Sequence, residues 1–430
     1  MRVVQPFTSR SLSSRCIASI LTAVVTSALL LGGAALAQQA ELTVLLRGVQ
    51  ERQDALKSIL QEWAETVPGG VRFEFIAASG DVLQHLQVLT AAGVSVDLAD
   101  ITTPHIPLGG YQGILQPLTP FIESDASFSL DEHYPAVFDS VSHAGQIYGF
   151  PLGQAGPFLL YYNAERLNSV GVPPPDAGWS WEREMIEYGK VLTRDTNGDG
   201  QVDQWAMHTA TPYQNGFEAT FVWAEGGRMF SEDGKQFLMT SSEAQSALAF
   251  IVGLNQLGLL GSVGNYQQGW VNQSYAMTMM GSYGVQYFRN AEFPWDAAPP
   301  PTYKGQRYSI TWAESPFGMP RTAKNPQLAW EALMFLTGPR GQEMAFKIGI
   351  AAPVIRSLVT SQDFLRDTPP NRVIVNEAMA YTRSRPEITR WGEFRPAYNQ
   401  MIARIMQGEI SPLEGMSQIK TMVEAAIAND

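Results

Sequence analysis

Residues 158–172 read FLLYYNAERLNSVGV. The apolar run 158–162 is of strand length. Asn163 breaks it into a short helix that ends at Gly171, and Pro173, Pro174 and Pro175 stop any continuation, because proline lacks an N–H donor and fixes φ. Trp181, after Trp179 and Ser180, is expected to open the next helix. The same strand-then-helix rhythm runs through the first third of the chain. Residues 41–46 (ELTVLL) form a short apolar run, and Leu56, Ile59, Leu60 and Trp63 follow at helical spacing. Residues 71–76 read as a second strand, Val82, Leu86 and Leu89 stripe a helix that ends near Gly93, and residues 96–101 read as a third strand. Alternation of this kind predicts an α/β fold with a mostly parallel open sheet, and such sheets bind ligands at the carboxyl ends of their strands.

The first thirty-seven residues read as an address. Arg2, Arg10 and Arg15 form a basic start, residues 17–36 are apolar or small, and Ala35-Leu36-Ala37 is an A-x-A cleavage signal. The mature chain is expected to begin at Gln38. Cys16, the sole cysteine, precedes the apolar run and follows Arg15, a poor context for lipidation. Export without disulfides suits a chain long enough to bury a large core unaided. With 29 Lys+Arg against 41 Asp+Glu the net charge is −12, and removing the three leader arginines leaves 26 bases and −15. That balance argues against nucleic acid and anionic membranes as partners, and weighs against an anionic ligand unless a local arginine cluster overrides it.

Catalytic signatures are missing. The sequence contains no G-x-x-x-x-G-K-[ST], no H-E-x-x-H and no G-x-S-x-G, and its five histidines lack ligand-like spacing. Two carboxylates acting as a glycosidase pair cannot be read from spacing, so a secreted glycoside hydrolase stays as a rival reading. Residues 195–203 place oxygen ligands at alternate positions: Asp195, Asn197, Asp199, Gln201 and Asp203. They match an EF-hand loop at positions 1, 3, 5, 6 and 9, but Ala206 stands at position 12 where a bidentate Glu belongs. Two readings stand, a structural Ca²⁺ site or an Asp/Asn turn held by side-chain-to-backbone bonds. No other cofactor is expected. Near the end, Ser411-Pro412-Leu413-Glu414 is a capping box that starts a helix striped by Leu413, Met416, Ile419, Val423 and Ile427.

Strand, YYN, short helix, glycine, prolines and a Trp-led segment occur in this order in one family. So do Ala92-Gly93 before Val96-Asp97-Leu98, Ala224-Glu225-Gly226-Gly227 before Phe230, residues 275–281 (YAMTMMG) before Tyr283, residues 327–339, and Ala352-Pro353-Val354. The chain resembles the extracellular solute-binding proteins of bacterial ABC importers, the branch that includes the maltose-binding protein. The resemblance implies a two-lobed type II periplasmic binding protein fold, each lobe a mostly parallel sheet flanked by helices. The chain would cross between lobes three times, near residues 154, 299 and 354. The first lobe would comprise residues 38–154 and 300–353, the second 155–299 and 354–430.

By the same resemblance the ligand is a sugar or short oligosaccharide, passed unchanged to a membrane permease by a periplasmic monomer. A glycerol phosphodiester is the alternative within the binding class, favoured if several arginines converge on the cleft, and signalling to a chemosensor uses the same fold. Ten Trp and fifteen Tyr suit ring faces that need stacking, and hydroxyls left unpaired in a dry cleft would cost about 1–3 kcal/mol each. First-lobe contacts are expected from Arg47 and Gln50 after the first strand and from Thr102 and His105 after the third. Second-lobe candidates are Tyr213, Trp223, Trp270 and Tyr283, with Trp270 in a Gly- and Gln-rich loop that favours exposure. Trp312 and Glu314 are expected at the return into the first lobe, and Trp391 and Phe394 near the C-terminus. No acid stands at Gly156-Pro157, where maltose binders carry one, and this argues against maltose itself.

Overall fold

The computed structural model describes residue 1 and residues 39–208, 216–232, 234–261, 266–385 and 388–428. The leader and Tyr213 lie outside them. In chain order the strands are β1 (Ala40–Leu46), β2 (Val71–Ala77), β3 (Leu98–Asp100), β4 (Ser142–His143), β5 (Gln146–Ile147), β6 (Gly149–Gln154), β7 (Phe158–Asn163), β8 (Trp205–His208), β9 (Leu260–Gly261), β10 (Tyr275–Gly281), β11 (Trp295–Ala298), β12 (Ser309–Thr311), β13 (Ala313–Gly318) and β14 (Thr382–Ser384).

Two five-stranded sheets carry the architecture, in the orders β2-β1-β3-β13-β6 and β11-β7-β10-β8-β9. In the first, β1 runs parallel to β2 and β3, and β13 alone is reversed. In the second, β10 and β8 and β9 are parallel, and β7 alone is reversed. Each sheet is thus mostly parallel in strand direction, with one reversed strand next to an edge. The pattern of buried residues explains the elements. The first helix, Gln50–Thr66, buries the expected stripe Leu56, Ile59, Leu60 and Trp63. All six residues of β7 are buried, as a strand covered on both faces requires. The following helix, Ala164–Ser169, is capped by Asn163, whose side chain accepts from the Arg166 amide, and Gly171 closes it at φ +74°.

Two local readings shift. Trp181 does not open a helix; the helix is Glu184–Leu192, and Glu184 reaches back to accept from Ser180 N and Oγ at 2.9 Å. Trp181 is instead buried against Phe221. In the last helix, Pro412–Ile427, Ser411 caps as expected and Met416, Ile419, Val423 and Ile427 are buried, but Leu413 is exposed. A residue in the first turn of a helix can sit beyond the edge of the layer that its stripe contacts.

The chain passes between sheets three times; the second passage lies later than the sequence suggests, and the third is longer. The first runs through residues 155–157, from Gln154 at the end of β6 to Phe158 at the start of β7. Register sets Gln154 opposite Ala313 on the reversed strand β13, and Phe158, on the reversed strand β7, opposite Gly281 on β10. The second does not occur near 299. Residues after β11 fold back on the second lobe, where Thr302 N donates to Trp179 O and the Tyr303 ring stacks 4.5 Å from Phe250. The chain enters the first sheet only at Trp312, between β12 and β13. The third begins near 354 but is long. Val359, Phe364, Ile374, Val375 and Ala378 join the core that contains Leu42, Val44 and Leu60, while Asn371 bonds Asp296 and Ala297 of the second sheet. Apolar side chains hold this segment astride both lobes until β14 pairs with β12. No helix among the described residues is long and apolar enough to cross a membrane.

Candidate functional site

The carboxyl ends of β1 and β3 deliver a charged floor. Asp100, fully buried at the end of β3, accepts from Arg47 Nε at 3.0 Å and from Arg52 Nη1 at 2.5 Å. A buried carboxylate is tolerable only when paired, and here two guanidiniums do so. Arg47 remains one-quarter exposed. Gln50, by contrast, turns back on its own helix, donating to Asp54 at 2.7 Å from an exposed position.

Thr102 and His105 meet directly. Thr102 Oγ1 lies 2.8 Å from His105 Nδ1, and Asp81 Oδ2 lies 3.2 Å from Nε2. With the ring proton on Nε2 toward Asp81, Nδ1 accepts from the Thr102 hydroxyl, and the neutral imidazole is satisfied on both sides. Burial pushes the His105 pKa down, Asp81 opposes that, and Arg395 and Arg47 add to it. Asp81 also caps the helix Val82–Ala91, so its carboxylate is fixed. Across the interlobe gap stands Gly392, where an added Cβ would lie 3.7 Å from His105 Nε2.

Three expected residues share one cavity. Tyr283, Trp312 and Glu314 line a space of about 190 Å³ together with Ser282, Tyr287, Arg289, residues 349–352 and Arg372. Tyr283 follows the end of β10, Trp312 joins the lobes, and Glu314 sits on β13. The Tyr283 and Trp312 rings are 6.4 Å apart, and Arg385 lies with its Cζ 4.2 Å from the Trp312 ring. Glu314 is partly buried. Burial raises its pKa, Arg47 and a hydrogen bond from Ser315 oppose that, and Asp100 adds to the rise. Gly156 lies at the first crossing, and a Cβ there would come within 2.2 Å of the Ile310 carbonyl. The hinge strands themselves therefore close the position where a carboxylate was sought.

Other expected residues are elsewhere. Trp270 is fully buried among Tyr275, Phe288, Phe293 and Trp295. The loop reading failed because residues 266–271 are helical and the indole is their inward anchor. Trp391 is also core, packed edge-on against Phe230 and Phe394, and it is the backbone after it that meets His105. Trp223 lines a different cavity, of about 580 Å³, with Arg383, Phe230 and Asp139. Sequence reasoning missed Arg52, Asp81, Asp100, Arg289, Arg372 and Arg385. Asp100 carried a signal, an acid ending a buried strand; the arginines come from distant segments and carried none.

The loop at 195–203 is built on backbone bonds. Asp195 accepts from Gly198 N and Gly200 N, Asn197 from Asp199 N, Asp199 from Gln201 N, and Asp203 from Thr196 N and Oγ1. Among the described residues no three His, Cys, Asp or Glu side chains are grouped to hold a metal ion.

The fold has counterparts among solved structures. The ABC substrate-binding protein Lmo0181 from Listeria monocytogenes, in complex with cycloalternan, superposes with a TM-score of 0.77 at 19% identity, covering 91% of this chain and 100% of its own. The sugar-binding protein MalE from Xanthomonas citri gives 0.77 at 17%, covering 91% and 98%. The maltose/maltodextrin-binding domain MalE from Bdellovibrio bacteriovorus, bound to maltotriose, gives 0.71 at 17%, covering 90% and 100%. At such identities the likeness is one of fold. The sequence comparison goes further, since the family described as bacterial extracellular solute-binding protein matches residues 49–343. With more than half of its length matched, and with the two-sheet, three-crossing fold of such receptors, this chain belongs to the bacterial extracellular solute-binding proteins.

Proposed function

We propose that the protein is the extracytoplasmic receptor of an ABC importer, binding a sugar or short oligosaccharide between its lobes by hinge closure and releasing it unchanged to a permease. The observation that carries this reading is the meeting of Tyr283, Trp312 and Glu314 in one interlobe cavity. Aromatic faces beside a partly buried carboxyl suit a ligand with apolar ring faces and hydroxyl edges. The solved proteins of this fold in complex with cycloalternan and bound to maltotriose support the ligand class. In this reading residues 1–37 are a cleaved leader and the mature chain is a periplasmic monomer that catalyses nothing. A thermal-shift screen of neutral and acidic sugars and glycerol phosphodiesters on the mature protein tests it. A true ligand at a hundred times its Kd stabilises by about 2.7 kcal/mol; a shift with a phosphodiester and with no carbohydrate would overturn the sugar assignment.

A further inference from the structure

The cavity at Tyr283 and Trp312 holds two guanidinium groups besides its rings. Arg289 and Arg372 both line it, and both reach one oxygen of Asp367, at 3.1 and 3.3 Å. Asp367 itself is not part of the lining, so the wall presents two cations whose shared anion stands behind them. Arg372 is 4% exposed, its guanidinium stacked 4.1 Å from Phe364 and 5.1 Å from Phe346. It donates to the Thr368 carbonyl from Nη1, and its buried Nε makes no hydrogen bond. Two cations against one carboxylate leave a net positive charge at a partly desolvated wall, and such charge is costly unless an anion meets it. The guanidinium fork matches a carboxylate through paired N–H···O bonds. Glu314 lies in the same lining, where burial raises its pKa and the charge of Arg47 opposes the rise.

We propose that this cavity seats an acidic sugar unit, its carboxylate paired with Arg289 and Arg372 and its ring against Tyr283 and Trp312. The proposal rests on the sugar-receptor reading and narrows it to oligosaccharides that carry a uronate. The chain's overall net charge of −12 does not oppose this, because exposed charges are screened beyond about 8 Å at physiological ionic strength while the arginine pair acts at contact.

The test is calorimetric titration of the mature protein with galacturonate, glucuronate and mannuronate trimers, each beside its neutral counterpart. An acidic trimer is expected to bind at least tenfold tighter than its neutral partner. Arg289→Gln, at a site 41% exposed and so tolerant of change, is expected to lose that preference. Arg372→Lys keeps the charge and loses the fork, and is expected to recover only part of the acidic affinity. Equal or better binding of neutral trimers, or an Arg289→Gln protein with unchanged preference, overturns the acidic assignment and leaves the receptor reading standing. A panel in which no carbohydrate binds counts against both.

Discussion

At the residue scale, burial separates a tryptophan and a tyrosine that looked alike in the sequence. Trp270 is completely enclosed, so Trp270→Ala is expected to cost about 3–5 kcal/mol of stability, the range for a large aromatic removed from a core. Denaturant unfolding checks this, and a protein that loses affinity at unchanged stability would reinstate Trp270 as a ligand contact. Tyr283, half-buried on the cavity wall, is the opposite case: Tyr283→Ala should weaken ligand binding by about 1–3 kcal/mol, read by titration, and parent-like affinity would remove it from the site. Glu218 offers a pH signature of its own. It is wholly buried, accepts from Tyr398 at 2.9 Å, and burial lifts its pKa from 4.5 to about 7. From pH 4.5 to 7 the unfolded chain gives up this proton while the folded chain keeps it. Stability should therefore fall as pH rises through that window, by on the order of 3 kcal/mol. Glu218→Gln keeps an acceptor for Tyr398 and should be more stable than the parent at pH 8 and little different at pH 4. Equal melting of the two proteins at pH 8 would contradict the buried-acid account.

At the scale of elements, periodicity exposed what local pattern controls. The alternation from residue 40 to residue 100 and the cap at Ser411 were legible because hydrophobic spacing and capping act over a few residues. The cavity was legible only in part. Tyr283 and Trp312 follow strand ends and Glu314 sits near the start of β13, positions set by topology, whereas Arg289, Arg372 and Arg385 are brought in by segments whose docking depends on tertiary packing. The late second crossing and the long third one have the same cause, for Tyr303 and Phe364 look like ordinary apolar residues until their partners Phe250 and Phe346 are known. The loop at 195–203 is the clearest case of one pattern with two meanings. Its carboxylates are engaged by the loop's own amides, the bonding that an Asx-type turn supplies by itself. Chelator is therefore expected to leave the melting temperature unchanged. A fall of several degrees, abolished by Asp199→Ala, would instead establish the structural Ca²⁺ reading.

At the scale of the whole molecule, the two lobes are joined by crossing strands and by contacts small enough to break. His143 Nδ1 lies 2.9 Å from Thr389 Oγ1, and the Gly392 backbone stands beside His105. Contacts of this size contribute about 1 kcal/mol each. A ligand that touches Tyr283 on one lobe and Glu314 on the other binds the closed arrangement preferentially, and it can shift the equilibrium only by that difference in affinity. The radius of gyration in solution scattering is thus expected to fall on saturation with the true ligand, and the ligand should be recovered chemically unchanged. His143→Ala removes an interlobe hydrogen bond without entering the Tyr283 cavity, so it should weaken binding several-fold by depopulating the closed form while leaving the ligand preference as it was. A scattering curve that stays fixed at saturation would contradict hinge closure, and a cleaved ligand would replace the receptor with a hydrolase.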